Sequence, residues 1–137
     1  MNTKDILNQL SALFSDYVFH ELFLSELYNL LTKELKGKEA KFFNILSSQL
    51  NNIRTFGRMV YTVDSNEIIK GMDGHYYSIH LNNSQSNVRF LVYIFDDSTP
   101  WFLCAFYERS GKRKTDYSQY TPVLKRRFEE LGDDDNE

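Results

Sequence analysis

The sequence lacks most of the features that assign a chain to a specialised class of protein. Its 137 residues include one cysteine, Cys104, so a disulfide within the chain is excluded, and the apolar run around Cys104 predicts a buried, reduced thiol. No apolar stretch approaches the roughly 20 residues needed to cross a bilayer, and the N-terminus has no basic segment followed by an apolar signal core. We therefore expect a cytoplasmic protein with no membrane partner.

Motifs for metals and for phosphate cofactors are also missing. His20, His75 and His80 do not combine with the single cysteine in a spacing typical of zinc sites. The six glycines form no phosphate-binding loop. We therefore expect neither a metal site nor a cofactor.

The composition is that of a globular protein, with 42% apolar residues in a chain long enough to bury one core. We expect a single domain over residues 1–132, in which about residues 1–15 form an N-terminal helical extension. Residues 133–137, DDDNE, are expected to be a disordered acidic tail.

Charge is distributed unevenly along the chain. The net charge is −3, but six acidic residues and no basic ones lie between 129 and 137. Without them, sixteen basic residues face thirteen acidic ones, and the body of the chain is mildly basic. Between Glu108 and Arg127, seven cations face two acids. Such a cluster attracts polyanions, although a solvated loop and helix face would have the same composition.

The residues before Gly57 have helical periodicity. Asn2 or Thr3 can cap a helix that runs through Leu13, and Ser15 or Asp16 can cap a longer one that ends before Gly37. A third helix is predicted over about Glu39 to Ile53, because apolar residues recur there at three- and four-residue steps. These steps are occupied by Phe42, Leu46, Leu50 and Ile53.

After Gly57 the pattern becomes that of extended strands. Four strands are predicted, and their short connections favour an antiparallel sheet. A cap followed by proline, Thr121-Pro122, predicts a C-terminal helix to about Leu131. The fold class is therefore α+β, with N-terminal helices packed on a four-stranded antiparallel sheet. The predicted strands are Met59 to Val63, His75 to Leu81, Val88 to Phe95 and Trp101 to Tyr107.

With these elements in this order, the chain from about Leu22 to Leu131 resembles the RelE and HigB-like toxin superfamily, RelE/ParE, in its phage-related branch. The resemblance implies a RelE-like fold and a toxin that cuts messenger RNA without a metal, usually on the ribosome. It also implies a cognate antitoxin, expected to be a small helix-turn-helix protein. The segments that carry it are Leu50 to Gly57, GMDGHYYSIHL, VRFLVY with Arg89, CAFYERSGKRKTDY and TPVLKRRFEEL.

In that family, the 2′-hydroxyl beside the scissile phosphate is thought to attack it. The reaction needs a proton acceptor for that hydroxyl, cations for the phosphate and a donor for the departing 5′ oxygen. By resemblance, Arg89 takes the place of the family's arginine in the third strand, and Arg109 that of a basic position after the last strand.

The remaining roles are less uniquely assigned. His80 falls at a position that is often basic in the family, so it is expected to accept a proton, to act as a cation or to be a structural strand histidine. Tyr117 or Tyr120 would supply the tyrosine, as a base if neighbouring cations lower its pKa, or as a structural residue at the sheet edge. Lys112, Arg113 and Lys114 are expected to contact RNA phosphates.

Two other functions are compatible with the sequence. Glu108 stands where many relatives have a lysine, and this favours a non-catalytic protein on the same scaffold. Such a protein would bind a protein target, as ParE-like toxins bind gyrase, or would be an inert phage-related factor. The third possibility is an interaction module whose N-terminal helices bind an antitoxin helix or a second copy of the chain. The apolar residues available for such binding are Phe19, Phe23, Phe42 and Phe43.

Overall fold

The computed structural model describes residues 1–83, 86–108 and 116–135, and the α+β class is confirmed. Two short 3₁₀ helices, Gly57–Thr62 and Tyr117–Tyr120, lie among the longer elements. Within the described part of the chain, no helix has both the length and the apolar character that crossing a membrane requires. The helices and strands are α1 (Thr3–Leu13), β1 (Val18–Phe19), α2 (Glu21–Thr32), α3 (Glu39–Phe56), β2 (Glu67–Ile68), β3 (Tyr76–Asn83), β4 (Ser86–Ile94), β5 (Pro100–Tyr107) and α4 (Thr121–Asp135).

Local capping explains where the first two helices begin. The Asp5 amide donates to Asn2 Oδ1 at 2.9 Å and the Asn2 amide donates to Asp5 Oδ2 at 3.1 Å, so α1 starts with a capping box. The expected start of the second helix at Ser15 or Asp16 is wrong. The chain first forms β1, and α2 starts after His20, whose Nδ1 accepts a hydrogen bond from the Leu22 amide at 2.9 Å.

The sheet has five strands in the order β1-β5-β4-β3-β2. The antiparallel meander of β3, β4 and β5 is confirmed, but the expected four-stranded antiparallel sheet is wrong, because β1 pairs in parallel with Trp101 and Phe102 of β5. The predicted strand at Met59 to Val63 is a 3₁₀ helix instead. Gly57, with a φ of +54°, ends α3 and turns the chain directly into this helix. The second strand comes later, at β2.

Alternation along β3 and β4 gives the sheet two different faces. The inner face packs against α1, α2 and α3, and its core includes Tyr77, Ile79, Leu81, Val88, Phe90 and Val92. The outer face lies under α4 and the second 3₁₀ helix, with Leu91, Trp101, Leu103, Tyr117 and Leu124 in its core. Polar side chains of β3 and β4 are therefore placed on the outer face.

The phenylalanines expected to be spare binding surface belong to the inner core. Phe23 and Phe42 are fully buried, and Phe19 and Phe43 are partly buried against the same cluster. Cys104 is buried, as predicted, and burial raises the pKa of its thiol to about 12. Phe23 and Phe42 are therefore not available as a docking surface, whereas binding through Phe19 or Phe43 stays a prediction.

The C-terminal helix extends beyond its expected end near Leu131. Helix α4 continues through Gly132 to Asp135, so residues 133–135 are helical and do not belong to a disordered tail. Residues 136–137 lie outside the described residues.

An ion pair closes the edge of β5 where β1 ends. Arg127 of α4 and Glu26 of α2 form a two-pronged pair, with Nη1 to Oε1 at 2.8 Å and Nη2 to Oε2 at 3.0 Å. Arg127 Nη1 also donates to the Leu103 carbonyl at 2.7 Å, and Glu26 Oε1 accepts from the Ala105 amide at 3.1 Å. Helices from both faces of the sheet thus satisfy backbone groups of its edge strand.

Candidate active site

A group of polar residues lies on the outer face where β2, β3 and β4 run side by side. The strand register places His80 directly opposite Arg89, and Glu67 directly opposite Ser78. Directly opposed residues in an antiparallel pair point to the same side of the sheet. Together with Tyr117, which reaches Ser78 from the second 3₁₀ helix, these residues form what we call the polar cluster.

His80 is a buried member of the polar cluster, with 8% of its side chain exposed. Its backbone amide donates to Asn66 Oδ1 at 2.8 Å, and its Nε2 lies 3.6 Å from Glu67 Oε2. This Nε2 is buried and makes no hydrogen bond. Burial, and then the positive charge of Arg89, lower the pKa of His80 to about 4. The imidazole is therefore neutral at neutral pH, which favours the predicted role of proton acceptor over that of cation.

Arg89 is half-buried and held by two asparagines. Its Nη1 donates to Asn82 Oδ1 at 3.0 Å and to Asn87 Oδ1 at 2.6 Å. Both acceptors are neutral amides, so the charge of the guanidinium is not compensated by them. The Nε–H is buried and makes no hydrogen bond. A cation fixed in this way is suited to bind a phosphate oxygen through its exposed part.

The two predicted tyrosines are packed into the outer face. The Tyr117 hydroxyl is buried and donates to Ser78 Oγ at 2.8 Å, and burial is the main cause of its raised pKa. The rings of Tyr120 and Phe106 stack, with their centroids 4.5 Å apart. Phe106 is the β5 residue that pairs with Arg89 in the sheet. Burial raises the pKa of Tyr120 to about 12. Both phenols therefore stay protonated at neutral pH, which disfavours the role of base and is compatible with the structural role at the sheet edge.

The other predicted site residues are basic and lie in one segment. Arg109, predicted to be catalytic, and Lys112, Arg113 and Lys114, predicted to bind RNA, lie outside the described residues. On the described side of this segment, the Glu108 amide donates to the Asn87 carbonyl at 2.8 Å. The four described members of the predicted set, His80, Arg89, Tyr117 and Tyr120, lie on the same face of the sheet.

A polar cavity beside His80 was not predicted from the sequence. It has a volume of about 490 Å³, lies between α3 and the edge of β3, and is lined by Gln49, Asp64 and Asn82 as well as His80. Gln49 supplied a signal, because it is a buried polar residue on the otherwise apolar stripe of α3. Asp64 and Asn82 carry no such signal, since both lie in polar segments of the sequence.

Within residues 1–83, 86–108 and 116–135, no group of three or more His, Cys, Asp or Glu side chains is arranged so that it could hold a metal ion. A scan against protein-family models found no match, and searches of curated proteins and of solved structures found no significant match.

Proposed function

We propose that this protein is a metal-independent endoribonuclease that acts as the toxin of a toxin-antitoxin pair. The observation that supports this most directly is the pairing of a neutral, buried imidazole with a fixed guanidinium across β3 and β4. Together, His80 and Arg89 supply a proton acceptor and an anion-binding cation on adjacent strands. The sequence resemblance to RelE and HigB-like toxins provides the biological setting.

In the proposed reaction, the 2′-oxygen of RNA forms a bond to the neighbouring phosphorus as the bond from phosphorus to the 5′ oxygen breaks. His80 accepts the proton of the 2′-hydroxyl, and Arg89 stabilises the charge that builds up on the phosphate oxygens. The departing 5′ oxygen takes up a proton from solvent, and His80 later returns its proton to solvent. The products are a 2′,3′-cyclic phosphate and a 5′-hydroxyl end, and the reaction needs no further reactant.

The partners in this proposal follow from the resemblance. The substrate is messenger RNA, cleaved on the ribosome, and a small helix-turn-helix antitoxin neutralises the toxin. A basic segment would also bind RNA phosphates, and added salt would weaken this part of the affinity. The segment contains Arg109, Lys112, Arg113 and Lys114.

The test combines growth and RNA chemistry. Induction of the wild-type chain should arrest growth and produce new transcript ends, and Arg89→Ala, His80→Gln and Arg109→Ala should each reduce both effects. Arg126→Ala, which changes an exposed arginine of α4, is the matched control and should remain toxic. Thermal unfolding of each purified variant shows that it is folded.

A substrate analogue tests the attacking group directly. An RNA oligonucleotide with a single 2′-deoxy nucleotide at the cleavage position should resist the purified protein, because the attacking oxygen is missing. Cleavage of that analogue would overturn the proposed chemistry. Wild-type toxicity in folded Arg89→Ala and His80→Gln would overturn the assignment of the site.

A second function has support from the same residues. The Tyr117 hydroxyl is committed to Ser78 and the Tyr120 ring to Phe106, as in a structural role, which favours a non-catalytic toxin that binds a protein target such as gyrase. Growth arrest with intact transcripts and induced DNA-damage signalling would identify this function. Harmless expression would instead indicate an inert phage-related factor.

A further inference from the structure

The cavity beside His80 is open to solvent and is lined mainly by polar residues. Its volume of about 490 Å³ falls within the range of about 300–1,000 Å³ that is typical of small-molecule sites. Seven of the eight described side chains that line it are polar, and three of these are the amides of Asn44, Gln49 and Asn82. The cavity is therefore suited to a flat group that makes several hydrogen bonds.

The charge of the lining residues disfavours a phosphate as the occupant of the cavity. Among the described lining residues, Asp64 alone is charged at neutral pH, because burial keeps His80 neutral. An anion would be repelled by this carboxylate, whereas a neutral group rich in N–H donors would be attracted. The phosphate is better placed against Arg89, on the outer face of the sheet.

Asp64 is held in position by a chain of hydrogen bonds. Gln49 Nε2 donates to Asp64 Oδ2 at 2.6 Å, and Gln49 Oε1 accepts from Asn66 Nδ2 at 2.9 Å. Asn66 Oδ1 in turn accepts from the His80 amide at 2.8 Å. Asp64 also has a φ of +53°, a conformation that Asp and Asn tolerate better than most residues. The carboxylate is thus tied to the strand that bears His80.

We propose that this cavity binds a guanine base of the RNA, with the Asp64 carboxylate accepting hydrogen bonds from the ring N1–H and the 2-amino group. Among the four RNA bases, guanine alone presents two adjacent donors that match the two oxygens of a carboxylate. Asn44, Ser48 and Asn82 supply further polar contacts, and Ile45 supplies an apolar one. The inference rests on the proposed function for its claim that the guanine belongs to a substrate.

The base-binding step can be measured without cleavage. The full chain is titrated with guanosine 5′-monophosphate, inosine 5′-monophosphate and adenosine 5′-monophosphate while backbone amide signals are followed by NMR. The guanosine nucleotide should bind most tightly and shift the signals of Ser48 and Ser65. Inosine monophosphate lacks the 2-amino group and should bind about tenfold more weakly, as expected for the loss of one charge-assisted hydrogen bond.

Asp64→Asn is the decisive variant, because asparagine tolerates the same backbone conformation and keeps the side-chain size. It should lose the preference for guanosine over inosine monophosphate, whereas the charge-matched surface variant Asp133→Asn should keep it. Equal binding of all three nucleotides by the wild-type chain would overturn the inference. So would shifts confined to residues away from the cavity, or an unchanged preference in Asp64→Asn.

Cleavage products separate this inference from the proposed function. If the protein cuts RNA, Asp64→Asn should redistribute the cleavage sites with respect to guanine. Wild-type rates at unchanged sites in Asp64→Asn would overturn the guanine pocket and leave the nuclease in place. Guanine-selective binding by a chain that cuts no RNA would support the pocket and overturn the nuclease.

Discussion

Replacing Arg127 with methionine should destabilise the protein by about 3 kcal/mol. The side chain of Arg127 is 9% exposed and that of Glu26 is 31% exposed, so the substitution leaves a largely buried carboxylate without its partner. Breaking a buried pair in this way typically costs about 3–5 kcal/mol, and the partial exposure of Glu26 places this pair near the lower end. The Leu103 carbonyl also loses its hydrogen-bond donor. This cost is not added to the cost of breaking the ion pair, because the same guanidinium makes both interactions.

Urea denaturation measures this effect. With a slope of about 1–3 kcal/mol per molar urea, the unfolding midpoint of Arg127→Met should fall by roughly 1–3 M. Arg126→Met changes the exposed neighbour on the same helix and is the control, with little change expected. The double variant Glu26→Met with Arg127→Met should be more stable than Arg127→Met alone, because it removes the orphaned carboxylate. An Arg127→Met midpoint equal to that of Arg126→Met would refute the argument.

Three further predictions concern stability and reactivity. The pKa of His80 is about 4 in the folded chain and near 6.5 in the unfolded chain, so the unfolded chain binds a proton first as the pH falls. The free energy of unfolding should therefore decrease by up to about 3 kcal/mol between pH 6.5 and pH 4. Urea denaturation of His80→Gln should show a smaller decrease over the same range. Cys104, with a pKa raised to about 12, should resist iodoacetamide at pH 8 in the native protein and react once urea unfolds it; rapid native labelling would contradict its burial. Gly57→Ala should lower the melting temperature more than Gly71→Ala. Both glycines have a positive φ, but only at Gly57 would an added Cβ collide with Ser98. An equal decrease in melting temperature for the two variants would mean that the collision is relieved.

The parts of the fold with strong periodicity were predictable from the sequence. Strands β3, β4 and β5 alternate or are continuously apolar, and Thr121-Pro122 marks the start of α4. Strands β1 and β2 have two residues each, which is too short for any period to be recognised. At Met59 and Tyr61, alternation resembled a strand, but both side chains are exposed on a 3₁₀ helix.

The candidate site divides in a similar way. The pairing of His80 with Arg89 could be predicted from the sequence, because a short connection between two strands that share a buried face restricts their register. The contact between Tyr117 and Ser78, and that between Glu26 and Arg127, join residues far apart in sequence, so no local pattern indicates either one. The cavity beside His80 depends on how α3 meets the edge of β3, which is a matter of tertiary packing.

The opposition of His80 and Arg89 also discourages mispairing of the hairpin. A shift of β4 by one residue relative to β3 would turn each β4 side chain to the opposite face of the sheet. The Arg89 guanidinium would then lie in the inner core among Phe23, Phe42 and Phe102, where an unpaired cation is very costly. A strand pair with two apolar faces would lack this penalty, because leucine or valine is accepted on either side. Arg89, which is proposed to bind the phosphate, therefore also helps to select the native alignment of the strands during folding.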